Sequence, residues 1–240
     1  MSNLILIRHG QSLWNKEKRF TGWADVDLTE EGRAEAAHAA KLIQKLNFEF
    51  DEYFTSFQKR ANNTLEIIIH SLNKSNIKIN KAWQLNERHY GDLTGLNKDE
   101  ITKKHGSKQV LIWRRSFDTP PPPMNKSNPY HPSKNKSYES IPADKIPDGE
   151  SLKDTFERVV PYYNSQIEPL VLSKKNILIS AHGNSLRALC KKIFNISNKN
   201  IIKLEIPTGN PLHIIFGNNL EVKDYKYLDN KRAKKILFNV

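Results

Sequence analysis

The chain has a single cysteine, Cys190, so no internal disulfide can form, as expected of a protein folded in a reducing compartment. It has no apolar run near the ~20 residues that a membrane helix needs. The Leu-Ile-Leu-Ile at residues 4–7 is too short for a signal-peptide core, and Arg8 ends it. The 10 glycines and 12 prolines follow no period, which excludes a collagen-like rod. Two phosphate-binding loops are missing, because neither G-x-x-x-x-G-K nor G-x-G-x-x-G occurs. H-E-x-x-H is absent too, no carboxylate cluster suggests a metal, and Asp25-Val-Asp27 reads as turn chemistry. No internal repeat is visible. The expectation is a soluble, cytoplasmic protein with no resident metal and no membrane contact.

With 240 residues, 38% of them hydrophobic and 27% charged, the chain suits one large globular domain. A chain of that length buries roughly 70% of its extended surface and needs no covalent staple. Lys and Arg (38) outnumber Asp and Glu (26), a formal charge of +12. Such a balance suits anionic partners, with nucleic acid and phosphorylated metabolites among them. Most of the excess is Lys beside abundant Asn, which reads as compositional drift. Where the arginines sit carries more.

Residues 4–7 and 176–179 read as strands buried on both faces, with Tyr53-Phe54 and residues 212–216 as two more. Thr29 opens a helix that has Glu30 and Glu31 in its first turn and Ala36, Ala40, Ile43 and Leu46 on one face. Residues 61–72 form another. A longer pattern runs from Ser151 through Leu152, Phe156, Val159, Tyr163 and Ile167, and Pro161 is set to kink or break it. A last helix carries Leu186, Leu189, Cys190 and Ile193, with Cys190 as a small core residue. The alternation predicts an α/β fold, a three-layer αβα sandwich around a mostly parallel sheet. Residues 117–149, rich in Pro, Ser, Asn and Lys, form a long irregular insertion: a functional loop or lid, or else disordered. Residues 1–228 are expected to form one domain and 229–240 a basic surface tail.

Two segments share one design: strand, His, Gly, polar residue, Ser. They are residues 5–12, with Arg8-His9-Gly10, and residues 178–185, with His182-Gly183-Asn184. Ligands of open α/β sheets bind beyond the carboxyl ends of the strands. Two His residues in matching positions there are expected to face each other if the strands are neighbours, each relieved of bulk by the following Gly. A helix N-terminus after each Gly adds N–H donors suited to an anion. Arg8, Arg60 at a third strand end, Lys98 and Arg114-Arg115 supply cations, with Arg in the fork geometry a phosphoryl group accepts.

Leu6-Ile-Arg-His-Gly-Gln-Ser-Leu-Trp-Asn15 with Arg19-Phe-Thr-Gly-Trp23 resembles the opening of the cofactor-dependent phosphoglycerate mutases, of the histidine phosphatase superfamily. The middle block is sharper: Leu85-Asn-Glu-Arg-His-Tyr-Gly91, Leu93-Thr-Gly-Leu-Asn-Lys98, Trp113-Arg-Arg115. Glu150-Ser-Leu152, Ala181-His-Gly-Asn-Ser-Leu-Arg187 and Ile206-Pro-Thr-Gly209 continue the match in order, over roughly residues 3 to 228.

The resemblance implies interconversion of 3- and 2-phosphoglycerate in glycolysis and gluconeogenesis, without a metal, primed by 2,3-bisphosphoglycerate. His9 is then the phosphorylated nucleophile, His182 stabilises charge opposite it, and Arg8 and Arg60 clamp the phosphoryl oxygens. Asn15 adds a donor. Glu87 is the general acid and base, a role that needs a carboxylate in a partly dry pocket. Tyr90, Lys98, Arg114 and Arg115 hold the distal phosphate or carboxylate, Thr21, Gly22, Gly183 and Asn184 complete the cradle, and Ser12 and Arg88 are further substrate-binding residues. A bisphosphoglycerate of roughly −4 to −5 matches five cations. The resemblance also implies a homodimer or homotetramer.

Gln11 stands where many relatives have Glu, on the side away from the clamp, and the apolar Ile236-Leu-Phe238 departs from the usual tail. That tail and the insertion are both candidates to border the site mouth. His89 is either a group that orients Glu87 or a packing residue. His38 and His70 read as helix residues, His105 and His131 as loop residues and His213 as part of a strand. A histidine phosphatase acting on a small phosphorylated metabolite is the nearest rival reading. A nucleic-acid binder, argued from charge alone, is the remote one.

Overall fold

The apolar run at residues 4–7 lies inside a strand, β1 (Ser2–Arg8), buried on both faces. The computed structural model describes residues 1–235, and Ile236-Leu-Phe238 lie outside the described residues. Five further strands complete one sheet: β2 (Glu52–Thr55), β3 (Ile79–Lys81), β4 (Ile177–Ala181), β5 (Leu212–Phe216) and β6 (Val222–Tyr227). Their order is β3-β2-β4-β1-β5-β6. The three pairings from β3 to β1 are parallel, whereas β5 runs antiparallel to both β1 and β6. Only β5 therefore opposes the common direction, which meets the expectation of a mostly parallel sheet. Both edge strands went unread in the sequence. β3 has three residues and β6 is mostly polar, so neither carries the apolar signal of a central strand.

The helices are α1 (Leu13–Lys16), α2 (Glu30–Gln44), α3 (Lys59–Ser71), α4 (Lys98–His105), α5 (Ser107–Arg115), α6 (Leu152–Tyr162), α7 (Glu168–Leu172), α8 (Gly183–Ile193) and α9 (Asn198–Ile201). The alternation along β1 and β4 sends side chains to two cores. Ile5, Ile7 and Leu178 pack with Ala39, Ala40 and Ile43 of α2 and Leu65 and Ile68 of α3. Leu4, Leu6, Ile177 and Ile179 pack on the other face with Leu152 and Val159 of α6, Val171 of α7 and Leu186 and Leu189 of α8. This is the three-layer sandwich. Among the described residues no helix is long and apolar enough to cross a membrane.

Thr29 caps α2 as expected, its side chain accepting from Gly32 N. The helix from Ser151 passes through Pro161 and widens at Tyr163–Ile167 into a π turn before α7. Pro161 has no N–H to give the preceding turn, so the hydrogen-bond ladder is rearranged there instead of breaking. His105 ends α4, a correction to its reading as a loop residue.

The insertion at residues 117–149 is ordered. Three 3-10 turns (Pro132–Lys134, Lys136–Tyr138, Ala143–Lys145) follow one another, and Met124, Tyr138 and Ile141 are buried. Tyr138 Oη donates to Trp23 O (2.7 Å), and His131 Nε2 meets Asp148 Oδ1 (2.9 Å). Those aromatic and polar anchors are too sparse in sequence to stand out against the Pro and Lys around them. The tail is docked where it is described: Arg232 Nη2 donates to Glu35 Oε1 (2.7 Å) and Thr208 O (2.6 Å).

Candidate active site

Strand register builds the centre of the site. Arg8 pairs with Ala181 across β1 and β4, and Thr55 pairs with Ser180 across β2 and β4. The next residue after each of these strands is His9, His182 and Ser56. His9 N extends the ladder to Ala181 O (3.0 Å), and the two imidazoles face each other with ring centroids 5.0 Å apart, tilted by 58°. Ser56 Oγ is 2.7 Å from His182 Nε2. Arg60, in the first turn of α3, reaches in from the third strand end.

His9 Nδ1 lies 2.7 Å from Gly10 O, and since a carbonyl only accepts, that nitrogen carries the proton. Nε2 is left with its lone pair, 3.3 Å from the Arg60 Nε–H. Burial, then the Arg60 and Arg8 cations, hold His9 well below the usual histidine range. His182 is lowered in the same way by burial and by Arg60, His9 and Arg8, and its Nδ1 has no partner. Both rings are therefore neutral at neutral pH.

Arg60 is buried and is anchored by main-chain oxygens: Nη1 to Ala24 O (3.0 Å) and Nη2 to Gly22 O (2.9 Å). Gly22 sits at φ +53, where a side chain is strained, and this turns its carbonyl to both Arg60 and Gln58 Nε2. Arg8 Nη1 donates to Ile206 O (2.9 Å). Glu87 is 7% exposed, and its Oε1 accepts from Arg88 N (2.8 Å), Asn184 N (3.1 Å) and Asn184 Nδ2 (2.9 Å). Its own carbonyl is held by Trp23 Nε1 (2.6 Å) and Arg158 Nη2 (3.0 Å). The N-terminus of α8 thus grips an anion, and that anion is the Glu87 carboxylate.

Two adjoining cavities open here. The smaller, about 340 Å³, is lined by Arg8, His9, Asn15, Arg19, Thr21, Arg60, Glu87, Tyr90 and Lys98. The larger, about 760 Å³ counted to its open mouth, shares Arg8, Glu87, Tyr90 and Lys98. It adds Arg114, Arg115, Gly183, Asn184, Arg187, Glu205 and Lys234. Burial raises the Tyr90 phenol, but Arg88, 4.7 Å from the ring centroid, and Lys98 outweigh it and bring it to about 8. Burial, with Arg114 and Arg8, lowers Lys98.

Most residues expected at the site converge on these walls, but His182, Ser12, Gly22 and Arg88 line neither cavity; His182 is fully buried behind His9. Ser12 caps α1, and the Arg88 guanidinium turns to Arg114 O (2.9 Å). Gly10 does not give His9 room. A Cβ there would lie 2.1 Å from Gly32 O, so the glycine serves the close approach of α2. The first motif is followed by only one helical turn, α1, and not by a full helix. His89 packs: its Nδ1 accepts from Gly91 N (3.0 Å), and it makes no hydrogen bond to Glu87. Gln11 Oε1 faces Thr29, away from the clamp. No residue of 117–149 lines either cavity, although Tyr130 meets Trp14 edge to face, with ring centroids 5.2 Å apart. Arg19, Arg187, Glu205 and Lys234 also line the cavities without having been expected there; only Arg19 and Arg187 have a signal in the sequence, since they fall inside the stretches that carry the family resemblance.

A family model described as the histidine phosphatase superfamily (branch 1) matches residues 4–131 and 126–221. The chain belongs to that superfamily. It is 53% identical over 237 residues to a 2,3-bisphosphoglycerate-dependent phosphoglycerate mutase of Pelagibacter ubique, covering 99% of each chain. A protein of the same name from Maricaulis maris is 48% identical, with 98% of each covered. Among solved structures, a mycobacterial glucosyl-3-phosphoglycerate phosphatase aligns over 95% of this chain and 97% of its own (TM-score 0.67, 21% identity). A putative alpha-ribazole-5'-P phosphatase of Escherichia coli aligns over 93% and 94% (TM-score 0.69, 18% identity). These two share the fold.

Proposed function

We propose that the chain interconverts 3-phosphoglycerate and 2-phosphoglycerate by ping-pong transfer through phospho-His9. The observation that carries this reading is a neutral His9 whose Nε2 lone pair meets a guanidinium, in a cavity that also holds the Glu87 carboxylate. 2,3-Bisphosphoglycerate, when bound, supplies the phosphoryl group that primes His9. The cations of the two cavities suit such a polyanion.

His9 Nε2 attacks phosphorus, and the bond from phosphorus to the substrate oxygen breaks. Nδ1–H stays on Gly10 O, so the ring needs no tautomer change. Arg8 and Arg60 neutralise the equatorial oxygens, and His182 offers Nδ1–H to a third. The Glu87 carboxylate takes the proton of the hydroxyl that attacks phospho-His9, then gives it to the alkoxide that departs as the turned bisphosphate phosphorylates His9 again; in priming, that first proton comes from water. Asn15 and Thr21 complete the inner wall. Lys98, Arg114, Arg115 and Tyr90 hold the distal anionic group, with Gly183 and Asn184 beside it. That outer set of cations favours transfer over hydrolysis, because it retains the intermediate until its other phosphate is presented. Residues 1–228 form the catalytic domain in this reading, and 229–235 dock onto it.

His9→Ala tests the centre. Wild-type protein incubated with labelled 2,3-bisphosphoglycerate is expected to acquire an acid-labile phosphate, and the variant none; label retained in His9→Ala refutes the role. Isomerisation primed by trace 2,3-bisphosphoglycerate separates the mutase from a phosphatase, which releases phosphate steadily without exchange.

A further inference from the structure

One side chain, that of Asn184, ties a buried guanidinium to the Glu87 carboxylate. Arg187, three residues after Asn184 on α8, donates from Nη1 to Asn184 Oδ1 (2.8 Å) and from Nη2 to Ile201 O (2.6 Å). Asn184 Nδ2 then faces the other way, donating to Glu87 Oε1 (2.9 Å) and the Tyr90 hydroxyl (3.2 Å). A carboxamide has an acceptor end and a donor end. A cation clamped on Oδ1 therefore decides which end meets Glu87. Rotated by half a turn, Asn184 would set Oδ1 against the carboxylate, acceptor against acceptor. Arg187 is buried and its Nε has no partner, so these two bonds are what offset its desolvation. Burial, with Arg88 and Arg115 nearby, works against its charge, which makes the two oxygens it reaches all the more necessary.

We infer that Arg187 is a positioning residue: by clamping the Asn184 carboxamide it keeps the NH2 end on Glu87 and holds that carboxylate in line with the substrate oxygen. The inference rests on Glu87 being the acid–base group of the proposed reaction. Arg187 carries no proton in that reaction, so its loss is felt where proton transfer matters. An alkoxide leaving from 2,3-bisphosphoglycerate needs the proton of Glu87, whereas p-nitrophenolate leaves without one.

The experiment measures single-turnover loading of His9 from each donor in Arg187→Met, Arg187→Lys, Glu87→Gln and the double variant Arg187→Met/Glu87→Gln. Loading of Arg187→Met from 2,3-bisphosphoglycerate is expected to fall about 10- to 100-fold, no more than the lower end of the ~10²–10⁴-fold that general acid–base catalysis supplies, since Glu87 itself is retained. The fall with p-nitrophenyl phosphate is expected to be at least tenfold smaller. Arg187→Lys, which retains one donor for Oδ1, recovers part of the rate, and Arg187→Met adds nothing in the Glu87→Gln background. Equal losses with both donors, or a raised KM with unchanged kcat, overturn the inference in favour of a structural or a ligand-binding arginine. A slow Glu87→Gln beside an Arg187→Met of wild-type rate sinks the Arg187 inference alone. Unimpaired loading of Glu87→Gln from 2,3-bisphosphoglycerate removes the acid–base role of Glu87 as well.

Discussion

His89 gives the sharpest test of how the site is held together against acid. It is buried, its Nδ1 accepts from Gly91 N, and burial is the main cause that lowers its pKa from 6.5 to about 3. Above pH 6.5 the ring is neutral both folded and unfolded, and its contribution to stability is intact. Below 6.5 the unfolded chain binds a proton that the folded one refuses until about pH 3, so stability falls with falling pH across that window. The slope is about 1.4 kcal/mol per pH unit, or about 2 kcal/mol between pH 7 and pH 5 from this one side chain. His9 and His182 are lowered in the same direction by burial and by their arginines, so they add to the loss. Urea unfolding of wild type and His89→Asn at the two pH values measures the term, and comparing slopes cancels whatever the substitution costs at pH 7. The variant is expected to lose about 2 kcal/mol less than wild type on acidification. Identical losses would mean that His89 takes its proton in the folded state, and the account of a dry, neutral ring would be wrong.

Gly10→Ala sets a Cβ 2.1 Å from the Gly32 carbonyl, main chain against main chain, and is expected to destabilise by about 1–3 kcal/mol in urea unfolding and to lower kcat by displacing His9. An unchanged midpoint would show that α2 can retreat freely. The Tyr90 phenol, brought to about 8, adds a negative charge to the larger cavity as it ionises. KM for phosphoglycerate should therefore rise above pH 8 in wild type and stay flat in Tyr90→Phe; the same rise in both would assign it to another group.

The central strands were legible because β1 and β4 are buried on both faces and so read as unbroken apolar runs. β3 and β6, at the sheet edges, had no such run to show. The two imidazoles were legible because each follows a strand directly, so the register that pairs Arg8 with Ala181 carries them together. Their tautomers were not, since Gly10 O decides that of His9 through geometry alone. Glu87 was found through its flanking block, but the reasons it stays in place lie far off in sequence. Trp23, Arg158 and Asn184 reach it from three other segments, and nothing local to residue 87 announces them. Gly10 was misread for the same reason: its neighbour in space is Gly32, on a helix that begins twenty residues later. The insertion hid its order because a few buried side chains, Met124, Tyr138 and Ile141, are outweighed by the Pro, Ser and Lys around them.

The same guanidiniums serve both halves of the proposed cycle, and this explains why they sit against an imidazole at all. Before transfer, burial and the Arg60 and Arg8 charges keep His9 from binding a proton at Nε2, so the lone pair is available at neutral pH. After transfer, that nitrogen carries a dianionic phosphoryl group, and the charges that repelled a proton now attract its oxygens. A carboxylate in place of either arginine would reverse both effects, favouring a protonated, inert ring at rest and repelling the phosphorylated one. Gly10 O completes the arrangement, since by holding the proton on Nδ1 it leaves Nε2 as the nitrogen that meets phosphorus. A nucleophile of this kind needs no general base of its own, which leaves Glu87 to manage the proton of the substrate.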